Sequence, residues 1–176
     1  MAKSNWSIDP THSEIGFKVK HMMFTNVSGK FNAFKATIEN EDDNFETSII
    51  NFTAETSSID TNNTDRDNHL KSDEFFDADN FPKLAFVSTS IKKINENIFV
   101  IFGDVTIKGV TRNIQLESEY SGLMTDPWGN TKAGLSIIGK INRKDFGLTW
   151  NAALETGGVL LGEEIKLHIE IQLIKQ

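Results

Sequence analysis

The sequence predicts an all-β fold of about eight antiparallel strands with one short helix. Three observations lead to this prediction. Apolar and polar residues alternate through most of the chain, turn-forming residues separate the alternating segments, and only one segment begins with side chains that start helices. Alternation with a period of two is typical of a strand that buries one face and exposes the other.

The clearest strand signal is the segment in which Ile15, Phe17 and Val19 alternate with glycine and lysine. The same pattern recurs in five further segments, which contain Ile50, Phe52 and Ala54; Leu84 and Phe86; Ile114, Leu116, Ser118 and Tyr120; Ala133, Leu135 and Ile137; and Ile165, Leu167, Ile169, Ile171 and Leu173. Glycine, proline, asparagine and aspartate mark turns between the segments, at 41–44, 95–97, 108–109, 126–130 and 157–158. We therefore expect the alternating apolar side chains to point inward.

Two segments depart from simple alternation. Between Phe31 and Ile38 the apolar positions change parity, which an inserted residue in a β-bulge would explain. Every residue from Ile98 to Phe102 is apolar, which predicts a strand covered on both faces. A helix, a neighbouring loop or a second subunit could provide the outer cover.

One segment carries a helix signal. Thr64 followed three residues later by Asp67 resembles a capping box in which aspartate replaces glutamate. These residues predict a short helix over about residues 65–71, followed by a phenylalanine-rich turn. Arg66, His69 and Leu70 share one face of this helix. Two roles are open for this face. Either Arg66 forms a surface ion pair while Leu70 plugs a barrel end, or the face forms part of a pocket mouth.

Length and composition fit one domain over residues 1–176. The chain has 18 basic and 25 acidic residues, a net charge of -7 and no basic stripe, so we expect no nucleic-acid partner. The absence of cysteine excludes disulfides and thiolate metal sites. No apolar run approaches the roughly 20 residues of a transmembrane helix. The start lacks a secretory signal, so the expected location is cytoplasmic, or periplasmic if the chain is a trimmed mature form.

The aromatic residues are mostly phenylalanine, with 13 Phe and 3 Trp against a single Tyr. This composition predicts an interior of strongly apolar ring surface, because phenylalanine has no hydroxyl that needs a partner. The strands could form an open sandwich or a closed barrel. A barrel of about eight strands either fills with side chains or encloses one small ligand, and the sequence pattern fits both arrangements.

Catalytic motifs give little support for an enzyme. The chain has neither a His-Glu-x-x-His helix nor a Gly-x-Ser-x-Gly turn. His168 lies on the exposed parity of its strand, where we expect it to be solvated. The fold could still bring His12, His21 and His69 together, so a metal-assisted hydrolase or isomerase is the alternative to a binding protein.

Several blocks of residues resemble those of a known family. They are Trp6, Ile8 to Pro10, His12 and Ser13; Phe17, Val19 and His21; Val27, Gly29 and Phe31; Arg66, Asp67, His69 and Leu70, with Phe75 to Asp77, Phe81 and Pro82; Gly103 to Thr111; and Arg143 to Gly147. In this order, and over nearly the whole chain, the sequence resembles the YceI family.

The resemblance implies a lipocalin-like antiparallel eight-stranded β-barrel with a short helix near one end. It further implies an apolar cavity that holds a polyisoprenoid, an isoprenoid quinone or a fatty-acid derivative, without catalysis and without a cofactor. Sequestration or transport of a long-chain lipid-like molecule is then the expected function. Several relatives form dimers, so a homodimer is a further expectation. The alternative is a structural or stress-related dimeric domain that uses Ile98, Val100 and Phe102 as its interface.

The expected ligand-binding residues follow from the inward parity together with this resemblance. The apolar wall should consist of Phe17, Val19, Phe31, Phe34, Phe52, Phe86, Leu116, Leu135 and Ile137. Leu70, Phe75 and Phe76 should close one end, and His21, Arg66 and His69 should form a polar mouth. The competing interpretation is a solid core, in which the same side chains interdigitate.

Overall fold

The alternating segments form strands of one antiparallel sheet in the computed structural model, which describes residues 2–151 and 160–176. Among these residues there are eleven strands: β1 (Lys3–Ile8), β2 (Glu14–His21), β3 (Thr25–Phe31), β4 (Phe34–Glu41), β5 (Asn44–Glu55), β6 (Ile59–Asp60), β7 (Lys83–Lys93), β8 (Ile98–Ile107), β9 (Val110–Thr125), β10 (Thr131–Asn142) and β11 (Leu161–Lys175). The helices are α1 (Thr64–Lys71) and three 3-10 helices, Pro10–His12, Thr56–Ser58 and Arg143–Phe146. The turn predicted at 157–158 lies outside the described residues.

The sheet closes into a barrel, which excludes the sandwich. Eight strands form the ring, in the order β1, β4, β5, β7, β8, β9, β10 and β11. β11 closes it, because one edge pairs with β10 while the other pairs first with β2, where Leu161 lies opposite His21, and then with β1, where Leu173 lies opposite Ile8. β2, β3 and β6 extend the sheet from β11. The prediction of an eight-stranded antiparallel barrel is confirmed.

The inward parity predicted from the sequence is confirmed at the centre of the strands. Leu135, Ile101 and Leu173 are buried, whereas neighbours such as Ile138 are exposed. On β8, Phe99 and Ile101 point inward and Ile98, Val100 and Phe102 are half-buried on the outer face. The homodimer expected at this outer face stays a prediction.

The change of parity between Phe31 and Ile38 falls at a two-residue break between β3 and β4, where a β-bulge within one strand was predicted. Both strands face the same returning segment, because Phe31 lies opposite Ile59 on β6 and Phe34 lies opposite Ala54 on β5. The three steps from Phe31 to Phe34 thus face five steps from Ala54 to Ile59, and the extra residues form the 3-10 helix Thr56–Ser58. The irregularity was predicted from the sequence, but the extra residues lie in the facing segment.

Helix α1 is confirmed, but its N-cap differs from the predicted one. Asn63, not Thr64, is the cap: its backbone is extended and its Oδ1 accepts a hydrogen bond from Arg66 N at 3.0 Å. Asp67 instead accepts hydrogen bonds from the backbone and the hydroxyl of Thr61, which join the helix to the end of β6. Over the described residues, no helix has the length and apolar character needed to cross a membrane.

A cluster of aromatic rings plugs one end of the barrel. Phe45 stacks on Tyr120 with 4.9 Å between ring centroids, and both meet Phe99 edge-on at 5.0 and 5.8 Å. Beside these rings, Trp6 Nε1 donates a hydrogen bond to Asn40 Oδ1 at 3.2 Å. The end that carries the β4–β5 and β9–β10 turns is thereby closed.

Aspartate substitutions at two positions of β10 should distinguish its buried face from its exposed face. Leu135 is 2% exposed and Ile138 is 49% exposed. We expect Leu135→Asp to lower the free energy of unfolding by about 3 kcal/mol or more, because it places an unpaired carboxylate in apolar surroundings. The control Ile138→Asp should change it by less than about 0.5 kcal/mol. Equal denaturant midpoints for the two variants would contradict the assigned parity.

The ionisation of Tyr120, the single tyrosine, should report on the plug. The pKa of Tyr120 is raised above its ordinary value of 10.0, mainly by burial and to a smaller extent by the nearby negative charge of Asp43. The neutral phenol is therefore favoured in the folded state, so its contribution to stability is complete below pH 10 and is lost as pH rises through the raised pKa. Ultraviolet titration should give a midpoint above 10 in the folded protein and near 10 in urea. Identical midpoints in the two states would contradict the burial of this ring.

Candidate functional site

The barrel encloses a cavity of about 520 Å³, a size within the range of roughly 300–1,000 Å³ typical of small-molecule sites. The wall consists of apolar side chains from the inward faces of the strands. The interior is hollow, so the solid-core interpretation is wrong. Of the predicted wall and closing residues, those that line the cavity are Phe17, Val19, Phe31, Phe52, Leu70, Phe75, Phe76, Phe86, Leu116, Leu135 and Ile137.

The cavity is elongated along the strands. On β8 its lining runs from Ile101 to Ile107, which at about 3.3 Å per residue is a path of about 20 Å. The next inward residue beyond Ile101 is Phe99, which belongs to the aromatic plug. The cavity is therefore closed at the plug and runs toward the opposite end of the barrel.

Phe34 does not line the cavity, contrary to the prediction. It is half-buried, stacks on Phe52 with 6.5 Å between centroids, and borders a separate shallow depression with Pro10 and Lys30. Phe34 begins β4 directly after the break between β3 and β4, whereas Ala36 further along the same face does line the cavity. Parity assigns a residue to a face of the sheet but not to a level along the barrel axis.

The polar residues of the lining gather at the end opposite the plug. They include the predicted mouth residues His21, Arg66 and His69, together with Asp65. Asp65 is exposed and the side chain of His69 is 37% exposed, so the cavity reaches the protein surface here. We call this opening the mouth. The structure thus brings together the three polar residues that the sequence placed there.

Arg66 is positioned by the end of β6. Its Nε donates to Thr61 Oγ1 at 2.8 Å and its Nη2 donates to Thr61 O at 2.7 Å. Thr61 is in turn held by Asp67, one residue further along the helix. These contacts fix one side of the guanidinium and leave Nη1 without a hydrogen bond among the described residues. The surface ion pair proposed for Arg66 is not formed in the described part of the chain.

His69 belongs to an aromatic cluster that covers the mouth. Its ring lies edge-on to Phe75 at 5.1 Å and to Trp150 at 4.7 Å, and its Nε2 is 3.1 Å from Glu74 Oε2. Trp150 also contacts Phe75, with 5.5 Å between centroids. Helix α1 and the chain around residue 150 therefore meet over the cavity. Phe76 packs edge-on against Phe31 at 5.8 Å on the inner side of this cover.

Arg143 is a mouth residue that the sequence analysis did not assign. It lines the cavity, is buried, and donates hydrogen bonds to four backbone carbonyls, those of Leu148, Trp150, Leu161 and Gly162, at 2.5, 2.9, 3.3 and 2.7 Å. Burial lowers the pKa of Arg143 below its ordinary value, and the charge of Glu163 acts in the opposite direction. The block from Arg143 to Gly147 marked the residue, but a hydrogen-bonding role toward distant carbonyls leaves no trace in local spacing.

His12, His21 and His69 do not form the joint metal site that the alternative interpretation requires. His21 ends β2, whereas His12 lies in the 3-10 helix that precedes the strand, and β2 alone spans about 23 Å from Glu14 to His21. His12 Nδ1 is 2.8 Å from Asp9 Oδ2, and this hydrogen bond is the main reason that the pKa of Asp9 is lowered. Residues 2–151 and 160–176 contain no cluster of three potential metal ligands.

Comparison with known proteins agrees with this architecture. The family model described as the YceI-like domain matches residues 6–173. A UPF0312 protein of Staphylococcus aureus strain MSSA476 is 39% identical over 166 residues, which are 94% of this chain and 94% of that protein.

Two solved structures share the fold. The structure of BcnA from Burkholderia cenocepacia has a TM-score of 0.81 at 18% identity and covers 94% of this chain and 98% of that one. A polyisoprenoid binding domain from Saccharophagus degradans has a TM-score of 0.69 at 12% identity, with 97% and 98% covered. At these identities the likeness shows the barrel alone, whereas the match of the family model over most of the chain shows that the protein belongs to the YceI family.

Proposed function

We propose that the protein binds a long-chain isoprenoid or similar lipid, without catalysis, for sequestration or transport. A polyisoprenoid, an isoprenoid quinone and a fatty-acid derivative share the required chemistry, a long apolar tail with a small polar head. The observation that carries the proposal is the cavity of about 520 Å³, which has apolar walls, one end closed by the plug and a polar mouth at the other. The similarity to a polyisoprenoid binding domain supports the same ligand class.

The wall can hold a tail without any specific hydrogen bond. Removal of each CH2 group from water contributes about 0.8 kcal/mol, so a chain of several linked units gains substantial free energy from burial alone. The wall residues Phe17, Phe52 and Phe86 present ring surface with no polar atom. Which ligands bind then depends on the length of the tail relative to the end of the cavity that the plug closes, and on the head group at the mouth.

We expect Arg66 to contact the head group. Thr61 holds one side of its guanidinium, so the arginine is already ordered before a ligand arrives. The remaining N–H groups can donate to an oxygen of the ligand, as the carbonyl of a quinone, a carboxylate or an alcohol would provide.

The contacts at the mouth support a binding role rather than catalysis. His69 is paired with Glu74 and packed between two aromatic rings, and the guanidinium of Arg143 donates to backbone carbonyls. These polar groups are occupied by contacts that maintain the opening. A general acid or base instead needs a free proton-transfer position directed at a reacting atom.

A bulky side chain in the cavity should block the tail. Ala36 lines the cavity on β4, and the adjacent Thr37 is exposed on the outer face. We expect Ala36→Trp to reduce uptake of a long polyprenyl alcohol from detergent by about tenfold or more, while the matched control Thr37→Trp binds as the original protein does. Native mass spectrometry of the detergent-reconstituted proteins measures the bound fraction. Failure of the original protein to take up polyprenyl alcohols, quinones or fatty acids would overturn the proposal.

Arg143 should be essential for the mouth to form. We expect Arg143→Met to lower the free energy of unfolding by about 2 to 4 kcal/mol, because buried carbonyls lose their donors. Lys144→Met is the control, since Lys144 is exposed and forms a surface ion pair with Glu163 whose loss should change stability by less than about 1 kcal/mol. Denaturant unfolding of the two variants measures the difference. Similar losses for both would show that the buried hydrogen bonds contribute little.

A further inference from the structure

The tip of the β2–β3 hairpin presents three consecutive large apolar side chains to solvent. Met22, Met23 and Phe24 are 41%, 62% and 81% exposed. Apolar residues scattered singly over a surface are ordinary, but three in succession at a turn are a concentrated apolar surface. Met22 and Met23 both have a positive φ, 52° and 64°, a backbone conformation that residues other than glycine rarely adopt.

The tip adjoins the mouth of the cavity. His21 precedes the tip and lines the cavity, as does Val27 a few residues after it. The backbone N–H of Met22 donates to Leu160 O at 2.7 Å, and Leu160 is also part of the cavity wall. Any apolar phase into which the tip inserts would therefore lie directly beside the cavity opening.

Lysines on the neighbouring outer face form an unpaired basic row. Lys140 on β10 lies opposite Lys166 on β11, which in turn lies opposite Lys18 on β2, and Lys20 lies two residues nearer the tip. All four are exposed, and none forms an ion pair with a described carboxylate. Like charges directly opposite one another in a sheet are destabilising, so this arrangement has no structural benefit by itself.

The carboxylates nearest the row form no ion pair with it. Glu163 is paired with Lys144, and the exposed Glu164 lies two residues from Lys166 on the same outer face, opposite Asn142. The chain as a whole has a net charge of -7, whereas four lysines without an ion pair lie together on one side of the mouth. An anionic surface is the partner that fits them.

We propose that the β2–β3 tip and this lysine row dock the protein onto an anionic lipid bilayer, with the mouth at the bilayer surface so that lipid passes directly between bilayer and cavity. The inference rests on the proposed lipid-binding function. Three side chains are too few for a stable protein interface, which usually buries more than about 1,000 Å². An apolar tip of this size flanked by lysines instead suits the boundary between head groups and acyl chains, where the lysines stay at the charged surface.

Vesicle co-sedimentation tests the docking surface. Vesicles of phosphatidylcholine mixed with phosphatidylglycerol should bind the protein about tenfold more strongly than vesicles of phosphatidylcholine alone, and added salt should weaken binding. The double variant Met23→Ser/Phe24→Ser should lose about tenfold or more of this binding. Lys18→Gln/Lys166→Gln should remove most of the preference for the anionic vesicles and most of the salt dependence.

The opposite end of the barrel provides a matched control. Trp128 is 82% exposed at the β9–β10 turn, beside the plug rather than the mouth. Trp128→Ser removes a comparable exposed ring and should leave vesicle binding unchanged. Equal losses for the Trp128 and Met23/Phe24 variants would overturn the proposal, because binding would then reflect general hydrophobicity.

Loading from detergent separates the docking proposal from the proposed function. The tip variant should still take up a polyprenyl alcohol from detergent to the original extent, because the cavity itself is unchanged. If the protein takes up lipid from detergent but binds no vesicles, docking is wrong and lipid binding stands. If the tip variant changes only the oligomeric state, measured by light scattering, the tip is an interface with a second copy and the bilayer proposal is likewise overturned.

Discussion

Closure of the sheet is the constraint on which the hollow interior depends. β11 pairs on both edges, with β10 on one side and with β2 and β1 on the other, so the wall is continuous around the barrel. The backbone hydrogen bonds of such a ring do not require the inward side chains to meet across the axis. Most domains are held by a filled interior of high packing density. Here the wall is held laterally, and a cavity of about 520 Å³ is compatible with a stable fold.

The two ends of the barrel are closed by different means, and the difference gives the cavity a direction. At the plug, rings of Phe45, Phe99 and Tyr120 pack directly on one another inside the strands. At the mouth, the cover is assembled from separate elements, helix α1 and the chain that Arg143 holds through backbone carbonyls. The plug consists of side chains of the ring strands, whereas helix α1 in the cover lies outside the sheet. Exchange of a ligand is therefore expected through the mouth.

Much of the fold was predictable because it depends on local patterns. The period of two along β2 and β11, and the polar and acidic residues at the start of α1, are properties of neighbouring residues, and the structure confirms the strands and the helix. The parity change between Phe31 and Ile38 correctly indicated an irregularity, but the extra residues lie in the facing segment at Thr56–Ser58, which local spacing does not show. The cavity itself was not predictable from the strand pattern, since parity gives the direction of Leu135 or Ile137 but not the distance to the opposite wall. Arg143 was missed for a related reason, because its carbonyl partners are set by tertiary geometry.

Ion pairs of described lysines occur at both ends of the barrel. Lys175 pairs with Asp43 at 2.8 Å and Lys132 with Asp126 at 3.4 Å toward the plug, and Lys144 pairs with Glu163 at 2.8 Å toward the mouth. Toward the mouth, the row that includes Lys166 has no such partner. An acidic protein could satisfy these lysines easily with one or two further carboxylates, as the far end shows. Unpaired lysines and an exposed apolar tip thus lie together at the end where an apolar ligand must enter and leave. A partner that is anionic at its surface and apolar beneath would contact both features at once.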